Sequence, residues 1–163
     1  GDNPKTAVHQ WLAEHPEFPP DHLEFEILET SALEDIAKVT EVMYGCRELG
    51  VRFALDDFGT GYSSLTYLKR LPADVLKIDR SFVSSLHEAP ENLAIVEGVV
   101  GLARAFSRGV IAEGVESAAQ GEVLLELGCE IAQGYALARP MPAAEIPRWI
   151  ALRTGAIFLR EAA

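Results

Sequence analysis

The strongest constraint on this chain is an alternation. Short apolar runs at Leu23–Leu28, Val51–Asp57, Val75–Asp79, Val110–Val115 and Ile131–Leu137 are separated by longer stretches whose apolar residues recur at helical spacing. Runs this apolar and this short predict strands of a parallel sheet, with helices covering it. The predicted helices are residues 4–14, a stretch opened by Thr30 or Ser31 and closed by Gly50, then 63–70, 91–106, 117–127 and 143–152. Along the second of these, Ile36, Val39, Val42, Met43, Cys46 and Leu49 share a face with Leu33. Residues 1–22 read as a helix and a proline-rich connector, 23–152 as the β/α portion, and 153–163 as a weakly patterned tail.

The five strands also end alike. Their C-terminal ends carry Glu26 and Glu29, Asp56 and Asp57, Lys77 and Asp79, Glu113 and Glu116, and Gln133. In parallel α/β sheets and barrels that end is where sites are built. One acid there is ordinarily a cap or a turn former; polar groups on five successive strands are not. So many carboxylates around one lysine would repel and hold protons unless a cation intervened. Oxygen ligands alone suit Mg²⁺ or Mn²⁺ rather than zinc, and paired ions are the usual clamp for phosphoester cleavage. Lys77 suits a phosphate oxygen or an attacking hydroxide, and equally the Schiff base of an aldolase.

Composition narrows the partners. With 163 residues and a formal net charge of −11, the chain suits one domain and lacks the basic footprint of a DNA-binding or anionic-membrane protein. No apolar stretch is long enough to span a bilayer, so no direct membrane insertion and a cytoplasmic location are expected, whatever anchor a longer parent carries. Cys46 and Cys129 fit no zinc spacing and are expected to be packed thiols. The four histidines form no pair at ligand spacing. The turn Gly59-Thr60-Gly61-Tyr62-Ser63-Ser64 lacks the Walker lysine and reads as a loop closing over the site.

Taken together, Glu26-Ile27-Leu28-Glu29-Thr30, Asp56-Asp57-Phe58-Gly59-Thr60-Gly61-Tyr62-Ser63-Ser64, Leu76-Lys77-Ile78-Asp79, Ala112-Glu113-Gly114-Val115-Glu116 and Gln133-Gly134-Tyr135 resemble the successive motifs of EAL domains. The resemblance implies hydrolysis of cyclic di-GMP to linear pGpG on a (β/α)₈ TIM-type barrel, with Mg²⁺ or Mn²⁺ as cofactor and Ca²⁺ as inhibitor. By position it makes Glu26, Asp56, Asp57, Asp79 and Glu113 metal-site acids, and Lys77, Glu113 and Asp57 catalytic. Gln133 would stand beside the attacking water and Glu116 on the substrate side. Glu29, with Gly59 and Gly61, would steady a loop that in the family couples dimerisation to activity. A receptor that binds cyclic di-GMP without cleaving it is the alternative; its altered acids are not found here.

The departure is equally plain. The Glu-Ala-Leu tripeptide that names the family is absent, as is the asparagine of the following strand. The chain therefore resembles a partial barrel, about five β/α units without the N-terminal strands, leaving a GGDEF or sensory domain to a parent chain. Unpaired strand edges are then expected at Leu23–Leu28 and Ile131–Leu137, with association into a homodimer or an edge-mediated oligomer. Weak hydrolysis by this chain alone is expected as well.

Overall fold

The structure, a computed structural model, describes residues 3–60 and 65–153. Gly61, the rest of the turn to Ser64, the predicted start of the 63–70 helix and the tail beyond Arg153 lie outside the described residues.

Five parallel strands form one sheet in sequence order: β1 (Glu24–Leu28), β2 (Arg52–Phe58), β3 (Val75–Ile78), β4 (Gly109–Glu113) and β5 (Ile131–Gln133). Each crossover is helical, as parallel pairing requires. The helices are α1 (Pro4–Glu14), α2 (Glu29–Glu34), α3 (Ile36–Arg47), α4 (Leu65–Arg70), α5 (Arg80–Ser84), α6 (Pro90–Ala105), α7 (Ala118–Leu127) and α8 (Ile146–Leu152). Unbroken strand order with helical crossovers is the arrangement of a partial TIM-type barrel.

Side-chain alternation sorts the sheet into two faces. Phe53, Leu55, Leu76, Ile78 and Ala112 are buried in one core with Met43 and Cys46 of α3, Val96, Val99 and Val100 of α6, and Leu124 of α7. The other face carries Glu26, Asp56, Lys77, Glu113 and Gln133. Cys46 and Cys129 are both free and buried. At the opposite ends of the strands, the Arg108 guanidinium donates to the carbonyls of Leu68, Leu71 and Ala73. Asp74 there accepts from the Phe53 amide at 2.9 Å and pairs with Arg47 at 3.2 Å. These contacts hold the strand entrances together, and the strand exits are left for chemistry.

Several boundaries differ from the sequence reading. The single helix expected before Gly50 is two helices, broken at Asp35 (φ −145°, ψ 73°), whose carboxylate caps α3 by accepting from the Lys38 amide. Neither Thr30 nor Ser31 caps α2; Leu28 stands there without a side-chain bond. The last strand stops at Gln133 rather than Leu137, because residues from Gly134 turn back to bond Val115, with the Ala136 amide donating to the Val115 carbonyl at 3.0 Å. A short helix, α5, was not expected; Asp79 caps it by accepting from the Ser81 amide.

Candidate functional site

The site begins with an irregularity in β2. Leu55 pairs with Leu76 and Phe58 with Ile78, so Asp56 and Asp57 together oppose Lys77. Such bulges re-aim side chains and recur beside active sites. Asp57 takes φ 54°, an uncommon conformation for a residue other than glycine, tolerated best by Asp and Asn. The adjacent carboxylates thereby reach one region instead of opposite faces.

Lys77 is its centre. The side chain, 5% exposed, places Nζ 2.6 Å from Glu26 Oε1, 3.1 Å from Asp56 Oδ1 and 2.7 Å from Glu113 Oε1. Strands β1, β2 and β4 are thus each tied to β3 through one ammonium. Burial pulls the Lys77 pKa down, but the bonds to Glu113, Glu26 and Asp56 outweigh it and hold the group above the usual lysine range. Asp56 Oδ1 is buried, in charge contact with Lys77 but without a hydrogen bond of good geometry.

Asp56, Asp57 and Glu113 each offer a carboxylate oxygen, and these oxygens lie within 4.8 Å of one another. Asp57 is held above the ordinary aspartate range, first by desolvation, then by the charge of Asp56 and its hydrogen bond with Asp79. Asp79 is displaced the other way: burial opposes its ionisation, but bonds from Ser81, Asp57 and the Arg80 amide prevail. The charged form of Asp57 is thus disfavoured and that of Asp79 favoured, which makes Asp79 the more acidic of the two. Five carboxylates against one ammonium, all oxygen donors, one of them without a hydrogen bond, form a set that a hard divalent cation fits.

Around this rim the remaining expected residues fall into place unequally. Glu29, buried at the start of α2, accepts from the Gly59 amide at 3.1 Å and so holds the first turn of the loop, where Gly59 sits at φ 101° against Phe82. Gln133 and Glu116 line a cleft of about 480 Å³ with Glu113, Arg80, Tyr135 and Arg139. Glu26 reaches the cluster only through Lys77, and Asp79 only through Asp57.

Two features escaped sequence reasoning. Gln120 is buried, accepts from the amides of Glu116 and Ser117 through Oε1, and donates to the Ser84 carbonyl at 3.1 Å. It cross-links the segments following β3 and β4, and the Ser-x-x-Gln spacing of a capping box was its legible trace. Arg139 stacks on Tyr135 with its Cζ 4.6 Å from the ring centroid, a contact no local pattern announces.

A sheet of parallel β/α units with an acid rim around one lysine defines the class: a β/α-barrel-type protein with its site at the strand exits. The model of the EAL domain matches residues 3–140, and the chain belongs to the EAL domain family. It is 46% identical over 127 residues to the bifunctional diguanylate cyclase/cyclic di-GMP phosphodiesterase MucR of Pseudomonas aeruginosa, an alignment covering 78% of this chain and 18% of MucR. With the cyclic di-GMP phosphodiesterase RocR of the same organism it shares 45% identity over 124 residues, 76% of this chain and 32% of RocR. The solved structure of PaMucR phosphodiesterase with c-di-GMP superposes with TM-score 0.83 at 44% identity, covering 86% of this chain and 57% of that one. Klebsiella pneumoniae BlrP1, solved as manganese/cy-diGMP and calcium/cy-diGMP complexes, matches at TM-scores 0.74 and 0.75 and identities of 32% and 33%, over 81% and 82% of this chain and 34% of each of those. The chain thus spans between about a sixth and a third of the curated relatives' length. No helix among the described residues is long and apolar enough to cross a membrane.

Proposed function

We propose that this site serves metal-dependent hydrolysis of cyclic di-GMP to linear pGpG. The observation that carries the reading is the convergence of Asp56, Asp57 and Glu113 within 4.8 Å beside Lys77. Those three acids would hold the metal, Mg²⁺ or Mn²⁺ for turnover, with Glu26 and Asp79 completing the site and Ca²⁺ as an unproductive occupant. Such an ion supplies Lewis acidity to a phosphoryl oxygen and acidifies water.

The chain's own groups do the rest. Lys77 stays charged and stabilises negative charge growing on the phosphoryl oxygens, without a proton to give or take at neutral pH. That also argues against the aldolase reading, since a Schiff-base lysine needs a depressed pKa. Glu113 accepts the proton of the attacking water, and Asp57, whose carboxylate lies beside it, orients that water. Gln133 and Glu116 border the cleft that receives the substrate. Glu29 accepts from the Gly59 amide and so holds the start of the loop that follows β2. We further propose that the chain associates through its sheet edges. Lacking the Glu-Ala-Leu tripeptide, the chain turns over slowly alone.

The test is pGpG release from cyclic di-GMP in Mn²⁺, in Ca²⁺ and in chelator. Slow release in Mn²⁺ alone, at least tenfold lower for Glu113→Gln, supports the reading. Turnover unaffected by chelator overturns it, and so does tight binding without metal or turnover, which would make the chain a receptor.

A further inference from the structure

The strand entrances, at the end of the sheet away from Lys77, carry a second charged cleft of about 480 Å³, bordered by Arg47, Arg52, Asp74, Ser107 and Arg108. Its size suits a small-molecule ligand. The charge there is reversed: three guanidiniums meet one carboxylate, in a chain whose formal net charge is −11. Ser107, at φ 53° in the turn between α6 and β4, adds a hydroxyl to the lining.

The one carboxylate is already committed. Asp74 accepts from the Phe53 amide through Oδ2 and pairs with Arg47 Nη2 through Oδ1. Arg108 donates only to the carbonyls of Leu68, Leu71 and Ala73, which satisfy hydrogen bonds but carry no opposing net charge. Its remaining N–H groups make no hydrogen bond among the described residues. Burial works against the Arg108 cation; the charge of Asp74 opposes that effect, and the charge of Arg47 adds to it. An arginine stays charged all the same. Arg52 Nε lies 3.8 Å from Glu24, beyond hydrogen-bond reach, and its side chain is 48% exposed.

Three guanidiniums less one carboxylate leave an excess of two positive charges on the lining, tempered only by Glu24 outside it. Guanidinium forks match the oxygens of a phosphate bidentately, and a dianion balances this excess where a carboxylate would not. We propose that the cleft at the strand entrances binds a phosphate dianion, free or as a small monoester, between Arg47, Arg52 and Arg108. The site is separate from the acid rim, and the proposal does not rest on the cyclic dinucleotide reading. An anion held there ties α3 and the α6–β4 turn to the start of β2, so its binding stabilises the folded chain.

The experiment is calorimetric titration of the full chain with inorganic phosphate and with ribose 5-phosphate, in chelator and at mildly alkaline pH. Sodium chloride at matched ionic strength is the reference, and melting curves are recorded alongside. The proteins are wild type, Arg52→Gln, chosen because Arg52 is exposed and its loss spares the fold, and Arg80→Gln, on the opposite cleft. Wild type is expected to bind phosphate saturably and to melt higher in it than in chloride. Arg52→Gln is expected to bind roughly tenfold more weakly, as when one charge-assisted contact is removed. Arg80→Gln is expected to bind as wild type does. Ribose 5-phosphate binding as well as phosphate marks a monoester ligand and its exclusion marks the free ion; the site stands in both cases. Heats and melting shifts no larger than those of chloride overturn the site, whatever the variants do. Wild-type affinity in Arg52→Gln overturns it too, as does loss of binding in Arg80→Gln, which would seat the phosphate at the strand exits.

Discussion

A lysine in the middle of a sheet is tolerable only because of what surrounds it. Lys77 is 5% exposed and answers three carboxylates on three other strands. Lys77→Met would leave Glu26, Asp56 and Glu113 facing one another, and is expected to cost roughly 3 kcal/mol near pH 7, as broken buried pairs do. Urea unfolding of the two proteins at neutral pH measures that gap. Cys129 gives the pH dependence at the other extreme. Its thiol is 1% exposed, and burial pushes its pKa up to about 11. A pKa raised on folding means a contribution fully present below the usual thiol value of about 8.5 and lost as pH climbs through the folded value. Melting temperatures of wild type and Cys129→Ala are therefore expected to converge between about pH 8.5 and 11. At this scale the site was legible wherever a polar residue ended an apolar run, as at Asp56, Lys77 and Glu113. It was illegible where the site's surroundings depend on contact across segments, as for Gln120 reaching Ser84 or Arg139 folding onto Tyr135.

The elements were legible by periodicity and blurred by whatever interrupts it. Strand runs and the longest helices declared themselves: α1 matches its expected bounds, and α7 carries the capping box of Ser117 and Gln120. The break at Asp35 did not, because apolar spacing continues across it while the backbone does not. Nor did the end of β5, where the apolar residues after Gln133 belong to a turn bonded to Val115. Two glycines separate these influences. Gly134→Ala would drive a Cβ into the Val115 backbone and is expected to cost about 3 kcal/mol by forcing β4 and β5 apart. Gly98, exposed within α6 with nothing within 4 Å of its missing Cβ, is expected to gain roughly 0.5–1 kcal/mol on Gly98→Ala. Denaturant midpoints of the two variants should move in opposite directions.

At the scale of the molecule, the sheet ends at β1 and β5 with no further strand among the described residues. Leu28, paired with Asp56, is 45% exposed, and Ile131, paired with Ile111, is 57% exposed; both lie on the Lys77 face at opposite edges. Open edges beside exposed apolar side chains favour pairing with another chain. Sedimentation velocity over a concentration series is expected to show dimers or larger species, dispersing on dilution; a single monomer boundary throughout would refute the prediction. The strand-exit face and the five-unit architecture could be foreseen from sequence, while the partner for those edges has no local signature. Association also exposes a property of the lysine. Because Lys77 must find acids on three neighbours at once, a one-residue slip in any pairing turns a partner to the other side. The ammonium therefore proofreads pairing: a copy with a slipped strand leaves Lys77 short of one of its acids and is destabilised by the unpaired charge.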